Sequence, residues 1–310
     1  MKELVETPIL FLIFNRPDTT RLVFNKIREV KPRFLYIAAD GPRQTVPGED
    51  KKCRAAQDII SQVDWDCKVH TLFRNDNLGC KKAVSSAITW FFSHVEAGII
   101  LEDDCLPDRS FFFFCEELLE RYKDDEQTMM ISGDNFHILS GEHTHSYYFS
   151  RYCHIWGWAT WRRAWELYDA DLKQWPNIKE NNVLDRIFPN KNLVDYWSSI
   201  FEMVHQNKID TWDYQWFFSC LANNGLSIVP HVNLISNIGF NSSATHTKEA
   251  NKYANMAHSS IESPMNHPRS VERDLKLDSL EEKDMYISPE RESILNKLQS
   301  KLKSALLRLF

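Results

Sequence analysis

Three acidic residues in a row, Glu102, Asp103 and Asp104, follow the apolar run Gly98-Ile99-Ile100-Leu101. Carboxylates crowded at the end of a buried strand repel one another unless a cation lies among them, and hard oxygen ligands suit Mn²⁺ or Mg²⁺. A divalent ion there can bridge the two phosphates of a nucleoside diphosphate and neutralise the leaving group. An acidic triplet alone is most often a solvated loop, and the buried strand in front of this one sets it apart. Asp213, in Trp212-Asp213-Tyr214-Gln215-Trp216, lies between aromatic residues, where burial raises a carboxylate pKa and poises it as a general base. The plain alternative is a buried Asp satisfied by a backbone N–H.

Two further groups have chemistry-bearing residues. In Arg74-Asn75-Asp76-Asn77-Leu78-Gly79, which runs into a helical pattern, Asn77 and Gly79 can present donors to a ribose or phosphate, with Lys81 and Lys82 adding positive charge. The alternative is an ordinary N-cap loop with solvated lysines. Asp134, in Ser132-Gly133-Asp134-Asn135, follows a short apolar strand and can hold the hydroxyls of a donor sugar or simply form a turn.

The elements that would position these groups alternate. Apolar runs at residues 8–14, 34–38, 68–73 and 98–101 read as strands, and apolar spacing from residue 18 and over 57–63 and 81–94 reads as helices. Strand–helix alternation predicts an α/β fold with a mostly parallel, Rossmann-like sheet covered on both faces. Ligands bind such sheets at the carboxyl ends of the strands. Those ends are Asn15-Arg16, Asp40-Gly41, residues 74–79 and Glu102-Asp103-Asp104. After about residue 128 an aromatic-rich stretch begins, with Trp156, Trp158, Trp161, Trp165, Trp175, Trp197, Trp212 and Trp216.

Composition bounds the function. The chain has 310 residues, 43% hydrophobic and 26% charged, with a net charge of −6. That is a globular protein without the basic face that non-specific nucleic-acid binding needs. Seven cysteines with no CxxC pair suggest reduced thiols and a cytoplasmic setting rather than a disulfide framework. The N-terminal apolar run is broken by Asn15, Arg16 and Pro17, too short for a membrane span. Residues 291–310 place apolar side chains near helical spacing with lysines between them, a basic amphipathic helix suited to peripheral contact with the inner, anionic face of a membrane, to packing on the domain or to a dimer contact.

The stretch over residues 101–107, followed by Phe111 to Phe114, resembles the metal-binding strand of GT-A glycosyltransferases, especially the Golgi N-acetylglucosaminyltransferase that initiates complex N-glycans. Pro8 to Pro17 looks like that family's first strand, and Ala39-Asp40-Gly41 like its second strand end. Ile155-Trp156-Gly157-Trp158 is similar to an acceptor-side stretch, and Trp212 to Trp216 resembles the element that carries the catalytic base. The resemblance spans roughly residues 7 to 247. It implies Arg16 and Asp40 at the base, Asn77, Lys81, Asp103 and Asp134 along the nucleotide sugar, and Asp104 with a late His246 at the metal. It implies Trp156, Trp158 and Trp212 on the acceptor side and Asp213 as base, with Asp213-Tyr214-Gln215-Trp216 standing where the family has Asp-Asp-Trp.

The expected organisation is a catalytic domain over 1–247 (nucleotide-sugar half 1–127, acceptor half 128–247), a polar tail or linker over 248–290 and the helix over 291–310. The expected activity is inverting, Mn²⁺- or Mg²⁺-dependent transfer from a UDP-sugar to a glycan or glycolipid in surface polysaccharide synthesis. A sugar-nucleotide nucleotidyltransferase would share sheet and metal but should open with a Gly-rich loop, which Asn15-Arg16-Pro17-Asp18 is not. A non-catalytic carbohydrate-binding protein would explain the tryptophans but not the acidic triplet.

Overall fold

The computed structural model describes residues 4–137, 144–240 and 253–287. Strands β1 (Ile9–Ile13), β2 (Phe34–Ala39), β3 (Lys68–Phe73) and β4 (Ala97–Glu102) run parallel in the order β3-β2-β1-β4. With partners on both sides and helices on both faces, β1 is buried along its whole length and carries no polar alternation. At the edge of the sheet, β3 is mostly half-buried or exposed.

Past β4 the sheet becomes mixed. Strand β5 (Cys105–Pro107) leaves it, while β6 (Thr128–Ser132), β7 (Tyr147–Ser150), β8 (Trp158–Trp161) and β9 (Leu226–Pro230) extend it to the order β3-β2-β1-β4-β8-β6-β9-β7. Strand β8 is antiparallel to both neighbours, and β6 and β9 run parallel. Strand β10 (Ile235–Asn237) pairs antiparallel with β5. The architecture is the expected one: α/β, with an eight-stranded, mostly parallel, Rossmann-like sheet flanked by helices.

The helices are α1 (Pro17–Val30), α2 (Glu49–Gln57), α3 (Gly79–Phe92), α4 (Arg109–Arg121), α5 (Arg162–Trp165), α6 (Trp175–Glu180), α7 (Val183–Ile187), α8 (Lys191–His205), α9 (Asp213–Ala222) and α10 (Leu275–Glu281). In α1, Pro17 takes a first-turn position that needs no N–H donor, and Val23, Phe24, Ile27 and Val30 form its buried face. The helix expected over 57–63 lies earlier, as α2 followed by a 3₁₀ turn, Asp58–Gln62. Only Cys53 and Ala56 give α2 an apolar buried face, too narrow a stripe to read as periodicity.

Strand alternation divides the core between the two faces of the sheet. Ile9, Phe11 and Ile13 join Phe24, Ile27, Phe111 and Phe112 on one face, whereas Leu10 and Leu12 join Ile88, Phe91, Trp158, Trp212 and Trp216 on the other. All seven cysteines are free thiols. Among the described residues no helix is long and apolar enough to cross a membrane.

The described residues divide into two compact units, one drawn from residues 4–170 and 210–273 and the other from residues 171–209 and 274–287. This division differs from the boundaries expected at 127, 247 and 290. The first unit contains the whole sheet. In the second, Trp197 stacks on Phe201 with ring centroids 5.5 Å apart, and Trp175 donates its indole N–H to Glu202 at 3.0 Å. Residues 274–287, read from sequence as polar tail, form α10 and a π-helical turn and bury Asp278, Glu281 and Glu282. Asp274 caps α10 by accepting from the backbone N–H groups of Lys276 and Leu277, a polar signal that from sequence alone looks like linker.

Candidate active site

Residues from the ends of β1 and β4 meet where the parallel strands finish. Arg16, just past β1, reaches the end of β4: one guanidinium nitrogen donates to Asp104 at 2.7 Å and another to Asp103. Asp103 also accepts from the Phe14 backbone N–H at 3.2 Å, so its carboxylate pins the β1 and β4 ends together. Burial alone would lower the Arg16 pKa, but its ion pairs with Asp103 and Asp104 outweigh that and hold it above the ordinary value. Burial pushes Asp103 up, with Arg16 opposing. Glu102 is also pushed up, by burial first and then by the negative charge of Asp104.

The β5–β10 pair shapes the wall beside Asp104. Cys105 faces Asn237 in register, and the Asp104 carbonyl accepts from the Ile238 N–H at 2.8 Å. This brings Gly239 so close to Asp104 that a Cβ there would collide with its carboxylate and come within 3.0 Å of the Arg16 guanidinium. Gly239 is therefore part of the site, as a residue without a side chain. No sequence motif announces it, because the constraint arises from strand pairing across more than a hundred residues.

Asp40, at the end of β2, accepts from the backbone N–H groups of Gly41, Leu78 and Gly79 and from the Asn77 amide at 2.9 Å. Asn77 also donates to the Gly41 carbonyl at 2.8 Å. Two expected ligand-binding residues thus hold each other and fix the turn into α3. The next two N–H groups, of Cys80 and Lys81, are taken by Asp210. The Cys80 thiol is raised by burial first and then by the charges of Glu102, Asp213, Asp210 and Asp40.

Asp213 opens α9, and its carboxylate accepts from the Thr211 hydroxyl. It is partly exposed, and its charge contributes to raising both Glu102 and Cys80. Asp134 is buried, with a carboxylate oxygen 4.0 Å from His154 Nδ1. Trp158 and Trp212 stack on each other at 5.6 Å, with 1% and 2% of their surface exposed. Both are core residues here and neither turns a face to solvent. Trp156 is half-buried and packs edge-on against Phe136 at 4.9 Å and Phe240 at 5.6 Å. His246 and residues 291–310 lie outside the described residues.

Among the described residues, no three His, Cys, Asp or Glu side chains converge as a metal-holding set. The donor set at the β4 end is nevertheless of the hard-oxygen kind, with Asp103 and Asp104 sharing a single guanidinium. Sequence reasoning also passed over Glu49, which is buried and accepts from the Asn15 amide at 2.8 Å and from the Arg43 guanidinium. Its surroundings in the sequence, Gly48-Glu49-Asp50-Lys51, look like a solvated helix start.

No protein-family model and no curated protein matches the sequence. Among solved structures, Staphylococcus aureus TarS 1–349 is similar at a TM-score of 0.40 and 7% identity, covering 72% of this chain and 57% of that one. HddC from Yersinia pseudotuberculosis is similar at a TM-score of 0.27 and 11% identity, covering 41% of this chain and 57% of that one. The chain thus spans just over half the length of each. Neither is the Golgi N-acetylglucosaminyltransferase that the motifs resemble, and that narrower kinship has no support from them.

Proposed function

We propose that this chain is a nucleotide-sugar-dependent glycosyltransferase that acts with inversion and with a divalent cation, moving a sugar from a UDP-sugar to a glycan or glycolipid in surface polysaccharide synthesis. The observation that carries the reading is the Arg16 fork that holds Asp103 and Asp104 at the carboxyl ends of β1 and β4, with Asp213 at the start of α9 close enough for its charge to bear on Glu102. Asp104, the more exposed of the two carboxylates that Arg16 holds, is the candidate metal ligand, and His246 is a second. Mn²⁺ or Mg²⁺ bound there would neutralise the diphosphate as it leaves.

The chain's own residues have separable tasks. Arg16 bridges Asp103 and Asp104 and opposes the upward push of burial on Asp103. Asp40 and Asn77 hold the turn that opens α3, where Lys81 supplies positive charge at a helix N-terminus. Asp134 stands as a candidate for the donor-sugar hydroxyls, and Trp156 is the acceptor-side tryptophan that retains some exposure. Asp213 takes the acceptor hydroxyl proton while that oxygen bonds to the anomeric carbon and the bond to the diphosphate oxygen breaks; no covalent enzyme intermediate is needed.

A thermal-shift screen of nucleotide sugars and nucleoside diphosphates, with and without Mn²⁺, tests the reading. A ligand that binds the native state raises its apparent stability by mass action. A Mn²⁺-dependent rise with a UDP-sugar is the expected result. The same rise in Asp104→Ala, or no response to any nucleotide, would count against the site.

A further inference from the structure

The first four backbone N–H groups of a helix have no partner within it and must be satisfied from outside. In α3 the residue in the cap position is Leu78, which has no acceptor to offer. Two carboxylates from distant parts of the chain do the work instead. Asp40 takes the N–H groups of Leu78 and Gly79, and Asp210, 130 residues along the chain, takes those of Cys80 at 3.2 Å and Lys81 at 3.1 Å. These are charge-assisted bonds at the positive end of the helix dipole, the stronger class of hydrogen bond. Gly79 makes the approach possible: it has φ +79°, and a Cβ on it would come within 2.8 Å of the Asp210 carboxylate.

Asp210 is also where the chain re-enters the first unit after residues 171–209, three residues before Asp213. Between them the chain is tightly held. The Thr211 hydroxyl donates to Asp213, the Thr211 carbonyl accepts from the Gln215 amide at 2.6 Å, and Trp212 is buried against Trp158. The Tyr168 hydroxyl also donates to the Trp212 carbonyl at 3.2 Å, and Asp210 adds the tie from this segment to the first turn of α3.

We infer that Asp210 is a positioning residue for Asp213: by tying residues 210–213 to the first turn of α3, it fixes where the Asp213 carboxylate stands relative to the ends of β2 and β4. The inference rests on the reading of Asp213 as the base.

The test uses the full chain as wild type, Asp210→Ala, Asp210→Asn, Asp213→Asn and the double variant Asp210→Ala/Asp213→Asn. Hydrogen exchange, which needs no substrate, is followed at residues 78–82 and 211–216. Losing two charge-assisted bonds should speed exchange about tenfold or more in both segments of Asp210→Ala. Asp210→Asn, which keeps one acceptor, should fall between Asp210→Ala and wild type. Acceleration confined to residues 78–82 would make Asp210 only a cap for α3 and overturn the inference. Unchanged exchange in both segments would do the same.

Turnover of whichever UDP-sugar the donor screen selects gives the second readout. Asp210→Ala should lower kcat with donor KM nearly constant, and should have no further effect once Asp213 is Asn, because it acts through that carboxylate. Equal, additive losses in both backgrounds would show a structural role instead. If Asp213→Asn leaves turnover unchanged, the base assignment falls, while the exchange data still decide whether Asp210 anchors the segment.

Discussion

The Arg16 guanidinium lies 2.7 Å from the Asp104 carboxylate and holds Asp103 with its other arm, joining the ends of β1 and β4 across 88 residues of sequence. The fork geometry matters, since the guanidinium gives each carboxylate its own nitrogen, whereas a lysine would have to share one ammonium between them. Arg16→Ala would leave Asp103 buried without its counter-charge. It is expected to cost roughly 3 kcal/mol or more in urea or guanidinium unfolding, the penalty for removing one partner of a buried pair. Arg16→Lys should recover part of that loss. A loss below about 0.5 kcal/mol would show the pair to behave like an exposed one.

Asp104→Ala is a different perturbation, because Asp103 keeps Arg16 as its partner and the Asp104 side chain is partly exposed. The fold should survive with a stability change within about 1 kcal/mol, while Mn²⁺-dependent UDP affinity disappears. Calorimetric titration of UDP with and without Mn²⁺ reads this directly, and unchanged affinity would remove Asp104 from the metal site.

Gly239→Ala tests the wall of the site. A methyl group there meets the Asp104 carboxylate, so either that side chain or the β10 end must shift, at a cost of about 1–3 kcal/mol typical of overpacking. Metal-dependent nucleotide binding should weaken along with it. Wild-type stability and affinity together would mean that the backbone approach is looser than the structure shows.

Much of the parallel half was legible because β1, β2 and β4 carry continuous apolar runs that end in residues of the site: Arg16 and Asp104, which meet, and Asp40, which holds the turn into α3. The rest depends on contacts that are not local in sequence. Gly239 and Asp210 matter only because β5 pairs with β10 and because the chain returns beside α3. Trp158 and Trp212 illustrate the opposite error. An indole suited to stacking on a sugar is equally suited to filling a core, and burial, which sequence does not reveal, decides between the two.

Glu49 gives a pH-dependent test of the β1 end. Its pKa is lowered, first by its hydrogen bond with Arg43, so its folded value lies below its unfolded one. Its contribution is then fully present above the ordinary glutamate pKa of about 4.3 and is lost as pH falls through the lower folded value. Glu49→Gln should be less stable than wild type by about 1.5–3 kcal/mol near pH 7, and the gap should narrow below about pH 4. Unfolding midpoints measured across that range would contradict the assignment if the gap stayed constant.

Asp213→Asn separates mechanism from binding. The amide keeps the size of the carboxylate and can still accept from the Thr211 hydroxyl, so the start of α9 should be preserved. What it cannot do is take a proton. If Asp213 is the base, transfer should slow by roughly two to four orders of magnitude, the usual contribution of a positioned acid or base. The donor dissociation constant should hardly move, because the base acts only as the transition state forms. A structural role would instead lower melting temperature and donor affinity together. Near-wild-type turnover in this variant would place the base elsewhere and leave the inverting assignment without its residue.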